Sequence, residues 1–194
     1  MNQTSSFVLA GFMASGKTVV AKSLGRRLGC ATVDLDQVLC KDAGRSIARM
    51  IEEWGEPLFR VCETNTLRKV LQNNSAGVIA LGGGAWIREE NRALIAARSC
   101  YTVWIDAPFD LCWQRISSSD PTERPLARDR ASAKHLFDER RPVYAQAMLR
   151  VAIANRTSAE EVANEILTRC AGLERVRLTE TMTLAEFSVV SENA

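Results

Sequence analysis

The chain has 194 residues, 46% hydrophobic and 25% charged, a length that suits one compact domain with a sizeable core. Its 25 basic and 23 acidic residues leave a formal net charge of +2, too balanced for nucleic-acid binding by bulk electrostatics. We therefore expect no nucleic-acid partner, and any basic site must be local.

The elements follow in alternation. Phe7-Val8-Leu9-Ala10 is a strand-like apolar run, and Val20, Leu24 and Leu28 repeat along a helix ending near Gly29. Ala31 to Asp34 is a short candidate strand. Ser46 to Trp54 and Leu58 to Leu71 are helical candidates interrupted at Gly55-Glu56-Pro57, and Gly77 to Leu81 is a third strand ended by Gly82-Gly83-Gly84. Asn91 to Arg98 reads as a helix, Tyr101 to Ile105 as the fourth strand, and Pro108 suits the first turn of the next helix, with Asp110 near its positive end. A polar, arginine-bearing stretch, Ser117 to Arg130, precedes a long helix at about Ala131 to Leu149. Val151 to Ala154 is the fifth strand, and Ser158 with Glu161 forms a capping box before Val162 and Ile166. Short apolar strands divided by helices predict an α/β fold: a parallel sheet covered on both faces, binding ligands beyond the carboxyl ends of its strands. The last segment, Ala171 to Ala194, carries Leu173, Leu184, Phe187 and other apolar residues, and should pack at least in part.

Cysteines 30, 40, 62, 100, 112 and 170 lack CxxC spacing and read as buried thiols of a reducing cytosol. Met1 to Ser6 has no basic flank, and Phe7 to Ala10 is far too short for a signal peptide or membrane span. The expected setting is cytoplasmic, with no membrane partner.

Gly11 to Thr18 reads GFMASGKT, a match to G-x-x-x-x-G-K-T placed between a strand and a helix. Such a turn brings successive backbone amides, including those of Gly11, Ala14, Ser15, Gly16 and Val19, close to phosphate oxygens. Lys17 supplies positive charge near the transferred phosphate, and Thr18 can present its hydroxyl to Mg2+. A bland glycine turn with a surface lysine is the weaker alternative.

Along an extended segment Asp34 and Asp36 share one side while Leu35 takes the other. Paired acids repel without water, metal or a cation, which suits a wet active site. One could organise magnesium water and the other deprotonate an acceptor hydroxyl, or both could cap the following helix. Arg60, early in its helix, can hold a carboxylate with two hydrogen bonds or be a plain surface arginine. Gly82, Gly83 and Gly84 can approach a ligand closely or simply form a turn.

Taken in order, GFMASGKT, Asp34-Leu35-Asp36, Gly55-Glu56-Pro57-Leu58-Phe59-Arg60, Gly82-Gly83-Gly84, Arg124-Pro125-Leu126 and Asp138-Glu139-Arg140-Arg141-Pro142-Val143-Tyr144 resemble the signature series of shikimate kinases over roughly residues 7 to 169. The resemblance implies a P-loop, nucleoside-monophosphate-kinase-like fold with a five-stranded parallel sheet flanked by helices and a mobile lid at about 117–130. The kinase unit would cover residues 1–170, with 171–194 a carboxyl-terminal extension of unknown function. It implies Mg2+ as cofactor, ATP and shikimate as substrates, and a monomer. By the same resemblance Lys17 and Thr18 serve ATP and magnesium, Asp34 assists the metal through water, and Asp36 contacts the acceptor hydroxyls as base. Arg60 and Arg140 bind the acceptor carboxylate, Gly82, Gly83 and Gly84 contact the acceptor, Arg124 reaches the phosphates from the lid, and Arg115 lies beside adenine. Ala14 departs from the commonest pattern, where glycine is usual, as does Ala127 after Arg124-Pro125-Leu126.

A related kinase of gluconate, a nucleotide or another polyhydroxylated acid is the second enzymatic reading, and an ATP-dependent switch the non-enzymatic one. Paired Asp34 and Asp36 with Arg60 and Arg140 favour a carboxylated cyclic polyol. Among the remaining residues, acids at 120, 123 and 129 interrupt the arginines of the lid stretch. His135 lacks a nucleophilic or metal partner pattern and Trp104 reads as core, while the resemblance implies Trp54 as a wall of the acceptor site.

Overall fold

The computed structural model describes residues 6–73, 76–118 and 129–172. Five parallel strands, β1 (Phe7–Ala10), β2 (Thr32–Asp34), β3 (Val78–Ala80), β4 (Tyr101–Asp106) and β5 (Leu149–Ala152), form one sheet in the order β2-β3-β1-β4-β5. Helices α1 (Lys17–Leu28), α2 (Leu35–Ala43), α3 (Ile47–Asn73), α4 (Glu89–Ala96), α5 (Phe109–Ser117) and α6 (Arg130–Tyr144) connect them, and α7 follows at 159–172. β1 lies in the middle and is buried at every position, as expected of a continuous apolar run in a parallel sheet covered on both faces. Val20 and Leu24 of α1 and Val162 and Ile166 of α7 seal the core.

The register explains where the site lies. Leu9 of β1 pairs with both Ala80 and Val103, and Ala80 pairs with Asp34. β1, β2 and β3 therefore end nearly level, and the segments beginning at Gly11, Leu35 and Leu81 leave the sheet side by side. A second, smaller cluster of Leu39, Met50 and Phe59 joins α2 to α3.

Several boundaries differ from the sequence reading. Leu35–Ala43 is a full helix, α2, whose existence the reading left at a capping possibility. The long helix stops at Tyr144, and Leu149 instead opens β5, buried opposite Val103. Leu149 and Val151 point inward while Arg150 and Ala152 are exposed, a period of two that the apolar stretch before it disguised. The interruption expected at Gly55-Glu56-Pro57 is present, since α3 consists of two helices that meet at a kink at Gly55 (φ 78, ψ 157). The Ser158–Glu161 capping box forms as expected, Glu161 N donating to Ser158 Oγ at 3.2 Å and Ser158 N to Glu161 Oε2 at 2.7 Å. Only Cys100, Cys112 and Cys170 are buried, the other three thiols being partly exposed, and none is in a disulfide. Most of the lid stretch, including Arg124 and Arg128, and the extension from residue 173 lie outside the described residues. No helix among the described residues is long and apolar enough to cross a membrane.

Candidate active site

A cavity of about 640 Å³ opens at the carboxyl ends of the strands, with the phosphate loop on one side and α3 on the other. On the loop side Gly16 (φ 101) caps α1, which starts at Lys17, so the first amides of α1 have no partner within the helix and face the loop. Lys17 is buried, and its Nζ donates to the carbonyl oxygens of Gly11 at 3.0 Å and Phe12 at 2.8 Å. Ala14 occupies the left-handed region at φ 57, and its carbonyl accepts from Arg115 Nη1 of α5 at 2.9 Å. Arg115, Ala14, Gly16 and the exposed Val19 all line the cavity. Gly11 and Ser15 are buried beneath the loop, off the cavity surface, with Ser15 Oγ lacking a hydrogen-bond partner.

Thr18 Oγ1 donates to Asp34 Oδ2 at 2.6 Å, and Asp34 Oδ1 accepts from Gln37 N at 3.2 Å. Asp34 thus caps α2, as one of the sequence alternatives has it, and its other oxygen faces the phosphate loop. Asp36 enters the cavity by a different route from the one expected. It stands in the first turn of α2, not on an extended strand end, because the helix begins as soon as Asp34 caps it. The all-oxygen pair of Thr18 and Asp34 beside a phosphate-binding helix end suits a hard divalent cation whose remaining ligands are phosphate and water oxygens. The described residues hold no cluster of three acidic, histidine or cysteine side chains that would form a self-contained metal cage.

On the α3 side of the cavity Arg60 follows the Gly55 break. Its Nε and Nη2 donate to Glu56 Oε1 at 3.2 and 2.9 Å, and its Nη1 to both oxygens of Glu63 at 3.1 and 2.9 Å. Glu63 is 1% exposed, and burial pushes its carboxyl up against the opposing pull of Arg60, then Arg140 and Arg88. Arg140, buried on α6, donates through Nη1 to the Gly83 carbonyl at 3.2 Å, and the Tyr144 hydroxyl donates to the same oxygen.

Gly82 and Gly84 leave room for these side chains, while Gly83 lies against the Met13 backbone. A Cβ on Gly82 would lie 2.4 Å from Asp36 Oδ1 and 3.0 Å from Glu63 Oε1, and one on Gly84 would lie 2.5 Å from both Nη atoms of Arg60. The turn is bare so that the acid and the guanidinium can lie on it; Gly83 and Gly84 reach the cavity, while Gly82 is covered. Crowding also sets the Asp36 pKa: burial first, then the charges of Glu63 and Asp34, raise it from 3.8 to about 6, with Lys17 and Arg60 pulling the other way. At neutral pH the carboxylate is ionised yet basic enough to take a proton.

The phosphate loop, Asp34, Asp36, Arg60, Arg115, Arg140 and the glycine turn are therefore one constellation. Trp54 is elsewhere: it packs on the Leu39-Met50-Phe59 cluster with Arg45 5.6 Å from its ring and does not line the cavity. Trp104 is core and His135 is exposed, as expected. Glu56, Glu63 and Tyr144 received no role from the sequence. The two glutamates stand four and three residues from Arg60, the helical pairing distance, which is the signal that could have found them.

A family model described as Shikimate kinase matches residues 13–171. The shikimate kinase of Persephonella marina is 35% identical over 162 residues, covering 83% of this chain and 96% of that protein. Among solved structures, a shikimate kinase from Acinetobacter baumannii in complex with shikimate superposes with a TM-score of 0.80 at 28% identity, covering 87% of this chain and 93% of its own. That from Aquifex aeolicus gives 0.75 at 36% identity, covering 87% and 98%. With the phosphate loop, the paired aspartates, both arginines and the glycine turn converging on one cavity and the family model matching most of the chain, this chain belongs to the shikimate kinase family.

Proposed function

We propose that the chain transfers the γ-phosphoryl group of ATP to the 3-hydroxyl of shikimate, giving shikimate 3-phosphate and ADP on the route to chorismate and aromatic amino acids. The observation that carries this reading is the opposition, across one cavity, of Lys17 and Thr18 to Arg60 and Arg140, with Asp36 between them. Backbone amides of the loop and Lys17 hold the phosphates, while Arg60 and Arg140 grip the acceptor carboxylate in two-pronged fashion. Asp36 orients the attacking hydroxyl and accepts its proton, so no covalent phosphoenzyme is needed. Mg2+, when bound, supplies charge neutralisation at the phosphates; Thr18 would hold it directly and Asp34 through water.

Gly82 to Gly84 shape the acceptor floor, Arg115 lies beside adenine, and Arg124 of the lid adds charge at the phosphates. The kinase unit covers residues 1–170 with the lid at about 117–130, 171–194 being an appended segment. The enzyme works as a cytoplasmic monomer.

Purified protein with Mg2+ and ATP should convert shikimate to shikimate 3-phosphate, identified by mass and by release of ADP. Turnover of gluconate or a nucleoside monophosphate, with none of shikimate, overturns the assignment.

A further inference from the structure

We propose that Tyr144 is a positioning residue whose hydroxyl sets both arginines of the acceptor clamp through the backbone of the glycine turn. The proposal deepens the acceptor reading above and rests on it. Tyr144 is 1% exposed at the end of α6, its ring stacked on Trp104 with centroids 6.2 Å apart. Its hydroxyl donates to the Gly83 carbonyl, the same oxygen that takes Arg140 Nη1 at 3.2 Å. The next residue is Gly84, on whose bare α-carbon the Arg60 guanidinium rests. One hydrogen bond from a buried tyrosine therefore fixes the peptide between Gly83 and Gly84, and that peptide is the seat of both guanidiniums.

The second consequence concerns satisfaction of hydrogen bonds. The Gly83 carbonyl is part-buried at the cavity edge, and with Tyr144 supplying a donor it does not depend on Arg140 alone. Arg140 can then turn further N–H groups to an incoming carboxylate without orphaning the turn. The carboxyl end of α6 is tied to the same place from the other side, since Trp86, in the short 3-10 turn Ala85–Ile87 after the glycines, donates Nε1 to the Val143 carbonyl at 2.9 Å. Tyr144 touches neither phosphate loop nor Asp36 in any hydrogen bond among the described residues, so its influence should fall on the acceptor and spare the nucleotide.

Tyr144→Phe removes the hydroxyl and keeps the stacked ring. Shikimate and ATP dissociation constants are measured by calorimetry for wild type, Tyr144→Phe, Arg60→Lys and the double variant, with melting temperature as a check on folding. We expect Tyr144→Phe to weaken shikimate binding by about tenfold and ATP binding by less than about twofold, and to weaken shikimate by less than about threefold when added to Arg60→Lys, because the two act along one path. Unchanged shikimate affinity, equal losses for both ligands, or full additivity with Arg60→Lys overturns the proposal. Wild-type protein that binds no shikimate defeats the acceptor reading itself, a result distinct from all three.

Discussion

Replacing Asp36 by Asn should make the protein more stable and inactive. The carboxylate is ionised at neutral pH in a place that raises its pKa from 3.8 to about 6, chiefly by burial and then by Glu63 and Asp34. At about 1.4 kcal/mol for each tenfold change in proton affinity, holding that charge costs the folded state up to about 3 kcal/mol. Water entering the cavity screens part of this, so about 1 to 3 kcal/mol is the expected gain for Asp36→Asn, or a rise in melting temperature of a few degrees up to roughly 10 °C. The sign follows from linkage. The fold binds this proton more tightly than the unfolded chain does, so below pH 3.8 both states are protonated and nothing is lost. Stability falls as pH rises from there to about 6, and the full cost applies above it. Melting curves of wild type and Asp36→Asn at pH 4 and pH 7.5 test this: the gap between them should be wide at the higher pH and nearly close at the lower, while phosphoryl transfer at pH 7.5 falls by about 100-fold or more. A variant that melts below wild type at pH 7.5, or whose advantage is the same at both pH values, refutes the reasoning.

The remaining expectations concern the clamp and the loop. Arg60→Lys and Arg140→Lys should each weaken shikimate more than ATP in direct titrations, because an ammonium cannot reproduce the planar fork. Arg60→Lys should also lower stability by about 1 to 3 kcal/mol in urea melts, since the carboxyl of Glu63, 1% exposed, loses hydrogen-bond donors, whereas a neutral result would mean Glu63 is held by other groups. Ala14→Gly relieves a left-handed backbone at φ 57, worth about 1 to 2 kcal/mol, but adds about 0.4 to 1 kcal/mol of chain entropy on unfolding. Denaturant titration should therefore show no change to a gain of about 1 kcal/mol, with turnover within about threefold of wild type; a clear loss of stability would show that packing of the Ala14 methyl outweighs the strain.

The parts of this site that could be read in the sequence are those whose chemistry is fixed by neighbours along the chain. A phosphate loop needs its two glycines, lysine and threonine at set offsets between a strand and a helix, and the apolar runs around Gly11 to Thr18 supplied that context. Gly55 and Pro57 marked the α3 break because both act on the local backbone. Asp36 was reached for the wrong geometric reason: three residues are too few to separate a strand's alternation from a helix's first turn, and only the Asp34 cap on Gln37 decides between them. What stayed hidden depends on contacts across the fold. Nothing near Glu63 in the chain says that it will be buried, because its cover comes from Gly82 and from arginines on two other elements. The glycine triplet reads from sequence as ligand-contacting backbone, and only the fold shows that Asp36 lies against Gly82 and Arg60 against Gly84 as well. The same tertiary crowding that makes the turn need glycine also raises the Asp36 pKa, so the base strength proposed for catalysis and the need for Gly82 have one origin. A methyl at Gly82 would push away the carboxylate whose confinement gives it that strength, which is why a residue that lines no part of the cavity still belongs to the chemistry.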